Sequence, residues 1–238
     1  MNYFFAPDHH NGVLHFDAEE SKHISRVLRK SVGDLVGVQD GKGSRFMAEI
    51  TELGKTKVSA KIKQDTITCC PREKEDFGLT LAIAPTKNMD RIEMVLEKGT
   101  ELGVKRFIFI ESSNSERRKI NLERVNKKIM SAFKQSAQFW LPEFLGILPY
   151  SDVILKGKEQ DQQFICSCTE DIATTSLSAL TGGHKTLVLI GPEGDFSPKE
   201  VQEANDLGFI NLSLGNNRLR TETAGLLICA HIYTNTPC

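Results

Sequence analysis

The stretch IGPEGDFSPKE, Ile190–Glu200, ends an apolar run, turns through two glycines and a proline, and then opens a helix. Three residues write the helix start: Ser197 has the side chain of an N-cap, Pro198 suits the first helical position, and Glu200 falls at the third. The run before the turn, LVLI at Leu187–Ile190, reads as a buried strand. The turn therefore lies at a strand's carboxyl end, the edge at which open α/β sheets hold ligands. A second such edge follows, where LSLG ends a strand at Gly215, NNRLR forms a loop, and Thr221 caps the next helix. Two neighbouring bends of this kind are expected to shape one cavity.

A glycine turn ahead of a helix exposes backbone N–H groups, so a phosphate cradle is the first possibility to test. Several details oppose it. GPEG matches neither GxGxxG nor GxxxxGKS, Pro192 removes a donor, and Glu193 and Asp195 put negative charge where a phosphate needs none. A cationic or neutral ligand fits better, and S-adenosylmethionine, a sulfonium whose adenine bonds backbone edges, is a sensible occupant. Taken alone, the motif also reads as a tight strand-to-helix turn with Glu193 facing solvent.

Outward from this point the pattern alternates strands and helices. LTLAIA (Leu79–Ala84) is a buried strand, and KNMDRIEMVLEKGTEL places Met89, Ile92, Val95, Leu96, Gly99 and Leu102 on one helical stripe ended by Gly103. RFIFI (Arg106–Ile110) is the next strand. A helix from about Asn121 to Trp140 turns Leu122, Val125, Ile129, Phe133, Ser136 and Trp140 inward before Pro142 closes it. QFICS, TLVLI and FINLSL continue the strands, and a last helix follows Thr221. This order predicts a mostly parallel sheet covered on both faces. The final helix, AGLLICAHI, is apolar on most sides, which predicts cover by the sheet or by a second subunit.

The first seventy residues differ. DLVGVQ, DGKG, SRFMAEITEL and GKTKVSAKI are short alternating runs broken by turn signals, the pattern of a small β-barrel or sheet. Before them DAEESKHISRVLRK reads as a helix, with Asp17 as cap and Glu20 three residues on in a capping-box pattern. Helical spacing puts Lys22, Arg26, Arg29 and Lys30 on one face. A polar linker, Pro71–Asp76, separates the two patterns.

With 238 residues and 39% hydrophobic content the chain buries a real core. No apolar run approaches the roughly 20 residues that span a bilayer. The start MNYFFAPDHHNG has no basic region followed by an apolar one, so a cytoplasmic address is expected. Cys69, Cys70, Cys166, Cys168, Cys229 and Cys238 form no CxxC pair, which fits reduced thiols rather than disulfides or zinc, and no metal is expected. His9-His10 reads as a solvated loop. Lys and Arg outnumber Asp and Glu by twelve to seven over residues 85–140, and trail by six to twelve over 141–238. Such a division offers a basic face to a polyanion; a solvated helical surface explains it equally well.

Taken together, IGPEGDFSPKE, LSLGNNRLRTETA, KNMDRIEMVLEKGTELGV and SERR resemble the RsmE family, methyltransferases of 16S ribosomal RNA that make N3-methyluridine in the decoding region. The resemblance covers nearly the whole chain, because HISRVLRKSVGDLVGVQDGKG also looks like that family's N-terminal domain. It implies a PUA-like, RNA-associated β domain over residues 1–71 and a SPOUT methyltransferase domain over 72–238. It implies as well a trefoil knot holding S-adenosylmethionine, a homodimer, and 16S rRNA in the small ribosomal subunit as partner. The cofactor positions so implied are Ile190, Gly191, Pro192, Glu193 and Gly194 in the first bend and Leu214, Gly215 and Leu219 in the second, with Thr223 and Ala224 at the methionine end. The implied RNA footprint is Lys22, Arg26, Arg29 and Lys30 together with Arg91, Arg117 and Arg118.

Methyl transfer to uracil N3 requires positioning, and loss of a weakly acidic proton to a base or with help from a cation. Arg220, matching the arginine of the family's LRTET, is the candidate cation; its alternative role is to hold a phosphate or the helix N-terminus. Glu222 is the candidate to orient Arg220 or accept the proton, and its alternative is to complement the helix dipole. Three departures stand out: Asp195 where the family reads a glycine, Asn216-Asn217 where it reads proline-arginine, and Gln138 where it has an arginine. Two rival readings remain. A Rossmann-type nucleotide enzyme predicts glycines after the first strand, where the chain reads APTKNMD. A catalytically silent RNA-binding ribosome assembly factor of the same fold shares every feature except the chemistry.

Overall fold

The computed structural model describes residues 3–54, 56–69, 78–117, 120–168 and 173–236. The expected linker Pro71–Asp76, Arg118, Cys70 and Cys238 lie outside the described residues. Packing divides the chain into two units, Met1–Glu73 with Phe133–Leu141, and Lys74–Ala132 with Pro142–Cys238.

The first unit holds β1 (Tyr3–Phe5), β2 (His9–His10), β3 (Val13–His15), β4 (Leu35–Gln39), β5 (Ser44–Leu53), β6 (Val58–Ile62) and β7 (Thr68–Cys69). Their order is β1-β4-β5-β6-β3-β2, with β7 on β5. Alternation along β5 sends Phe46, Ala48 and Ile50 into a core with Phe4, Leu14, Val36 and Val38. His9-His10, expected in a loop, instead pairs with Val13 and Leu14 as an exposed hairpin strand. Residues 133–141 complete this unit. Gly43, at φ +104, lies so close to Trp140 that a Cβ there would sit 2.5 Å from the indole ring.

The helix expected from Asp17 forms in two windings. In α1 (Ala18–Lys22) the Asp17 carboxylate accepts the Glu20 N–H at 2.7 Å, as a cap should. Glu20 does not complete a capping box; its buried carboxylate takes Lys134 Nζ at 2.8 Å. From His23 to Val27 the backbone widens to π winding, and Arg29 turns to φ +51. Arg29 and Lys30 therefore lie beyond the helix, and the expected common face reaches only from Lys22 to Arg26.

The second unit runs β8 (Gly78–Ile83), α2 (Met89–Glu101), β9 (Arg106–Glu111), α3 (Leu122–Ser136, its last turn in the first unit), β10 (Glu143–Pro149), α4 (Tyr150–Leu155) and β11 (Gln162–Cys166). It continues with β12 (Thr175–Ser176), β13 (Lys185–Ile190), α5 (Pro198–Asp206), β14 (Ile210–Ser213) and α6 (Thr221–Asn235). Every strand pair is parallel, in the order β10-β9-β8-β13-β11-β14-β12. Both faces are covered, which explains why β8, β9 and β13 read as unbroken apolar runs. Ala82, Ile108, Ile165, Leu187 and Leu189 pack with Tyr150, Val153, Val201 and Ala204 from α4 and α5. On α6, Gly225 permits close approach, since a Cβ there would sit 3.2 Å from Ile83 Cδ1 and 3.4 Å from Val95 Cγ1.

In the second unit β10, α4 and the two-residue β12 lie outside the sequence expectation. β10 and α4 carry no clear period, because β10 shifts register between Phe144 and Ile147 and passes through Gly146 at φ +96. The helix expected to reach Trp140 stops at Ser136, where Ala137 takes φ +50. For the site the decisive feature is that β11 lies between β13 and β14, with β8 beside β13 and β9 beside β8. The connections that leave these strands crowd one carboxyl edge.

Candidate functional site

The capped turn forms as its residues dictate. Ser197 and Glu200 make a reciprocal capping box with Pro198 inside the first turn of α5. Ahead of it, Asp195 N–H closes a turn onto the Pro192 carbonyl at 2.9 Å. Ile190, Gly191 and Pro192 are buried, while Glu193 and Gly194 are exposed. Gly191 has little room: a Cβ would come within 3.1 Å of the Phe196 nitrogen. The second bend leaves β14 through Leu214 and reaches Gly215 at φ +114, a conformation that requires glycine, with open space around it. Leu219 is half-buried, Ala224 buried and Thr223 exposed.

The two bends meet. Thr221, first residue of α6, donates its hydroxyl to the Gly191 carbonyl at 3.0 Å in a buried contact spanning thirty residues. Three further connections close around the first bend. After β8, the Lys87 N–H donates to the Glu193 carboxylate at 3.0 Å. After β9, Asn114 Nδ2 donates to the carbonyls of Gly194 at 3.2 Å and Asp195 at 3.0 Å. After β11, the Cys168 N–H donates to Asp195 Oδ2 at 2.6 Å. Sequence reasoning found the bends after β13 and β14 but missed these three walls, whose nearness follows from strand order.

Glu200 does more than cap. Its carboxylate accepts the Ser113 N–H and hydroxyl, each at 2.8 Å, as well as the Ser197 N–H at 2.8 Å and hydroxyl at 2.9 Å. Burial works to raise its pKa, but these donors, the two backbone N–H groups foremost, outweigh burial and hold it below the usual carboxylate value. Tyr150 donates its hydroxyl to the Glu200 carbonyl, and burial, with Glu200 and Glu203 nearby, raises the phenol's pKa. Cys166, at the end of β11, has its thiol pushed up to about 12 by burial, then by Asp195 and Cys168.

The charged candidates separate by partner. Arg220 is exposed, and its guanidinium makes no hydrogen bond or ion pair with a described residue. Glu222 is buried, and its ion-pair partner is Arg91 of α2 at 3.5 Å rather than Arg220. The other oxygen of Glu222 is buried without a hydrogen-bond partner among the described residues. Arg117 donates to the carbonyls of Thr86 and Lys87, which braces the connection after β8. In the first unit, Lys22, Arg26 and Arg29 are exposed and Lys30 half-buried.

This edge suits a cation or neutral ligand with amide-like donors. Its walls are main-chain carbonyls and N–H groups, its acids are Glu193, Asp195 and Glu222, and Glu222 holds a buried acceptor oxygen with no donor among the described residues. Those features fit S-adenosylmethionine and oppose a phosphate. Among the described residues no group of three or more His, Cys, Asp and Glu could hold a metal ion, and no helix is long and apolar enough to cross a membrane.

A wholly parallel sheet whose loops gather at its carboxyl edge, where open sheets of this kind hold ligands, joined to a small β unit, defines the class: a two-part α/β protein. Comparison with known proteins narrows it. Residues 72–233 match the family model of the RNA methyltransferase domain, and residues 16–63 that of the RNA methyltransferase PUA domain. The chain belongs to the RNA methyltransferase family defined by that domain. It is 27% identical to ribosomal RNA small subunit methyltransferase E of Rickettsia conorii, over 95% of this chain and 87% of that protein. A crystal structure of a probable rRNA methyltransferase from Porphyromonas gingivalis is 38% identical, with TM-score 0.88, covering 99% of this chain and 98% of that one. Ribosomal RNA small subunit methyltransferase E of Neisseria gonorrhoeae, solved with S-adenosyl methionine bound, is 26% identical, with TM-score 0.82 and coverage of 99% and 98%.

Proposed function

We propose that this chain transfers a methyl group from S-adenosylmethionine to N3 of a uridine in the decoding region of 16S ribosomal RNA. One observation carries the reading: the buried Thr221–Gly191 hydrogen bond brings the two bends together at the carboxyl edge of the sheet, beside acidic side chains and main-chain polar groups. The names of the relatives in Rickettsia and Neisseria, and the cofactor bound in the latter, support it.

In this reading Ile190–Gly194, Leu214, Gly215 and Leu219 hold the cofactor mainly through backbone, with Thr223 and Ala224 at its methionine end. When bound, S-adenosylmethionine supplies a methyl group activated on a sulfonium. Gly191 and Gly215 let the backbone approach where a side chain would intrude or strain. Arg220, whose guanidinium has no described partner, stabilises the negative charge that develops on the uracil oxygens as N3 loses its proton. Glu222, held by Arg91, keeps an acceptor oxygen at the base of α6 for a donor on a ligand or for the departing proton.

Residues 1–71 act as the PUA-like RNA-associated domain and 72–238 as the knotted SPOUT domain. Lys22, Arg26, Arg29 and Lys30, with Arg118, supply phosphate contacts that add affinity without reading sequence, while Arg91 and Arg117, first expected among them, are engaged with Glu222 and with the Thr86 and Lys87 carbonyls. A second copy of the chain covers the outer side of α6, where Leu226 and Leu227 are half-buried and Tyr233 is exposed. The work is done in the cytoplasm, where small subunits are available. Incubation of the protein with methyl-labelled cofactor and small subunits from a strain lacking the activity, followed by nucleoside analysis, is expected to give labelled N3-methyluridine. Label in another nucleoside overturns the site of transfer, and subunit binding without label overturns the chemistry in favour of an assembly factor.

A further inference from the structure

Asp195 stands where backbone geometry favours glycine. Its φ is +61, a left-handed conformation that side chains other than Asn and Asp adopt at a cost. An acid kept in such a place needs a reason, and its contacts supply one. Oδ1 accepts the Phe196 N–H at 2.7 Å, a local bond that steadies the turn. Oδ2 accepts the Cys168 N–H at 2.6 Å, reaching the connection after β11. That connection emerges between β13 and β14, the two strands whose bends meet through the Thr221–Gly191 bond. The Asp195 carbonyl is taken in turn by Asn114 from the connection after β9.

We infer that Asp195 is a positioning residue that pins the Ser167–Cys168 segment against the glycine turn and so sets the affinity of the cavity for its cofactor. The inference rests on the reading of this edge as an S-adenosylmethionine site. Two short bonds from backbone N–H groups to one carboxylate are charge-assisted; the Phe196 bond fixes the carboxylate within the turn, and the Cys168 bond forms only while the segment lies against it. A wall held in place before binding need not be ordered during it, which is how preorganisation raises affinity.

The test uses the full chain and three proteins: wild type, Asp195→Gly and Asp195→Asn. Glycine accepts φ +61 freely, so Asp195→Gly should still fold, and a cooperative thermal melt of the variant separates loss of the pin from loss of the fold. Titration calorimetry with S-adenosylmethionine should then show about tenfold weaker binding, the equivalent of about 1.4 kcal/mol. Hydrogen exchange of the Cys168 amide, measured without cofactor, should accelerate by about tenfold as well. Asp195→Asn keeps one acceptor oxygen and tolerance of the left-handed backbone, and should fall between the other two in both measurements. Unchanged exchange at Cys168, or faster exchange with unchanged affinity, overturns the inference. If the wild type binds no S-adenosylmethionine, the reading of the site fails instead, and exchange at Cys168 alone decides whether the pin exists.

Discussion

Glu200→Gln removes one charge and replaces one acceptor oxygen with a donor. In the wild type, Oε2 receives three bonds, from the Ser113 hydroxyl, the Ser197 N–H and the Ser197 hydroxyl, while Oε1 receives the Ser113 N–H. The amide is best placed with its oxygen at the three-bond position. Three charge-assisted bonds then become neutral ones, at a cost of about 0.5–1 kcal/mol each, and the Ser113 N–H loses its acceptor, at about 1 kcal/mol because Ser113 is near water. The expected loss is about 3 kcal/mol, or about 6–12 °C in melting temperature for a chain of this size. The dependence on pH has a definite sign. The native pKa of Glu200 is held below its ordinary value of 4.5, so the stabilisation is complete above that value and is lost as pH falls through the lower native one. Thermal melts of both proteins from pH 8 to pH 3 should show a constant gap above about pH 5 that narrows below about pH 4. A gap under about 1 °C at neutral pH, or one that widens on acidification, would refute the assignment of Glu200 as an ionised clamp between α5 and the connection after β9.

Three other outcomes follow from the geometry. Arg220→Ala should lower turnover by about a hundredfold or more while cofactor affinity measured by calorimetry stays within about twofold, and unchanged turnover removes Arg220 from the chemistry. Gly225→Val should cost about 1–3 kcal/mol in denaturant melts, because even the first added carbon comes 3.2 Å from Ile83 Cδ1, and a fully tolerated valine would contradict the close packing of α6 on β8 and α2. Removing Lys22, Arg26 or Arg29 singly should weaken binding to small-subunit RNA and flatten its log–log salt dependence by about 0.7–0.9 per cation, and a slope unmoved by all three removals excludes that face from the RNA contact.

Local chemistry was well written in the chain. The capping box of α5 forms because Ser197, Pro198 and Glu200 satisfy one another within a single turn, and the unbroken apolar runs of β8, β9 and β13 follow from burial on both faces. Periodicity failed where the backbone leaves regular winding. The π turn from His23 to Val27 rotates Arg29 and Lys30 away from the face their spacing implies, and the bulge at Phe144–Ile147 hides β10 from any two-residue period.

The site was half legible for a different reason. Each bend announces itself through glycines and a capped helix, but which connections stand beside a bend depends on strand order, and strand order is not a local property. Had β14 paired directly with β13, Cys168 would leave the sheet away from the two bends and Asp195 would have no distant donor to hold; the insertion of β11 between them creates that contact. Strand order also gives Glu222 a partner other than the expected Arg220. Adjacency in sequence suggested Arg220 as its partner, but the start of α6 faces α2, so Arg91, from a helix more than a hundred residues earlier, pairs with it and leaves Arg220 without a partner among the described residues. A paired Arg220 would have to break an ion pair before meeting a developing negative charge; an unpaired one does not, and that difference makes the Arg91–Glu222 contact part of the case for Arg220 as the charge-stabilising group.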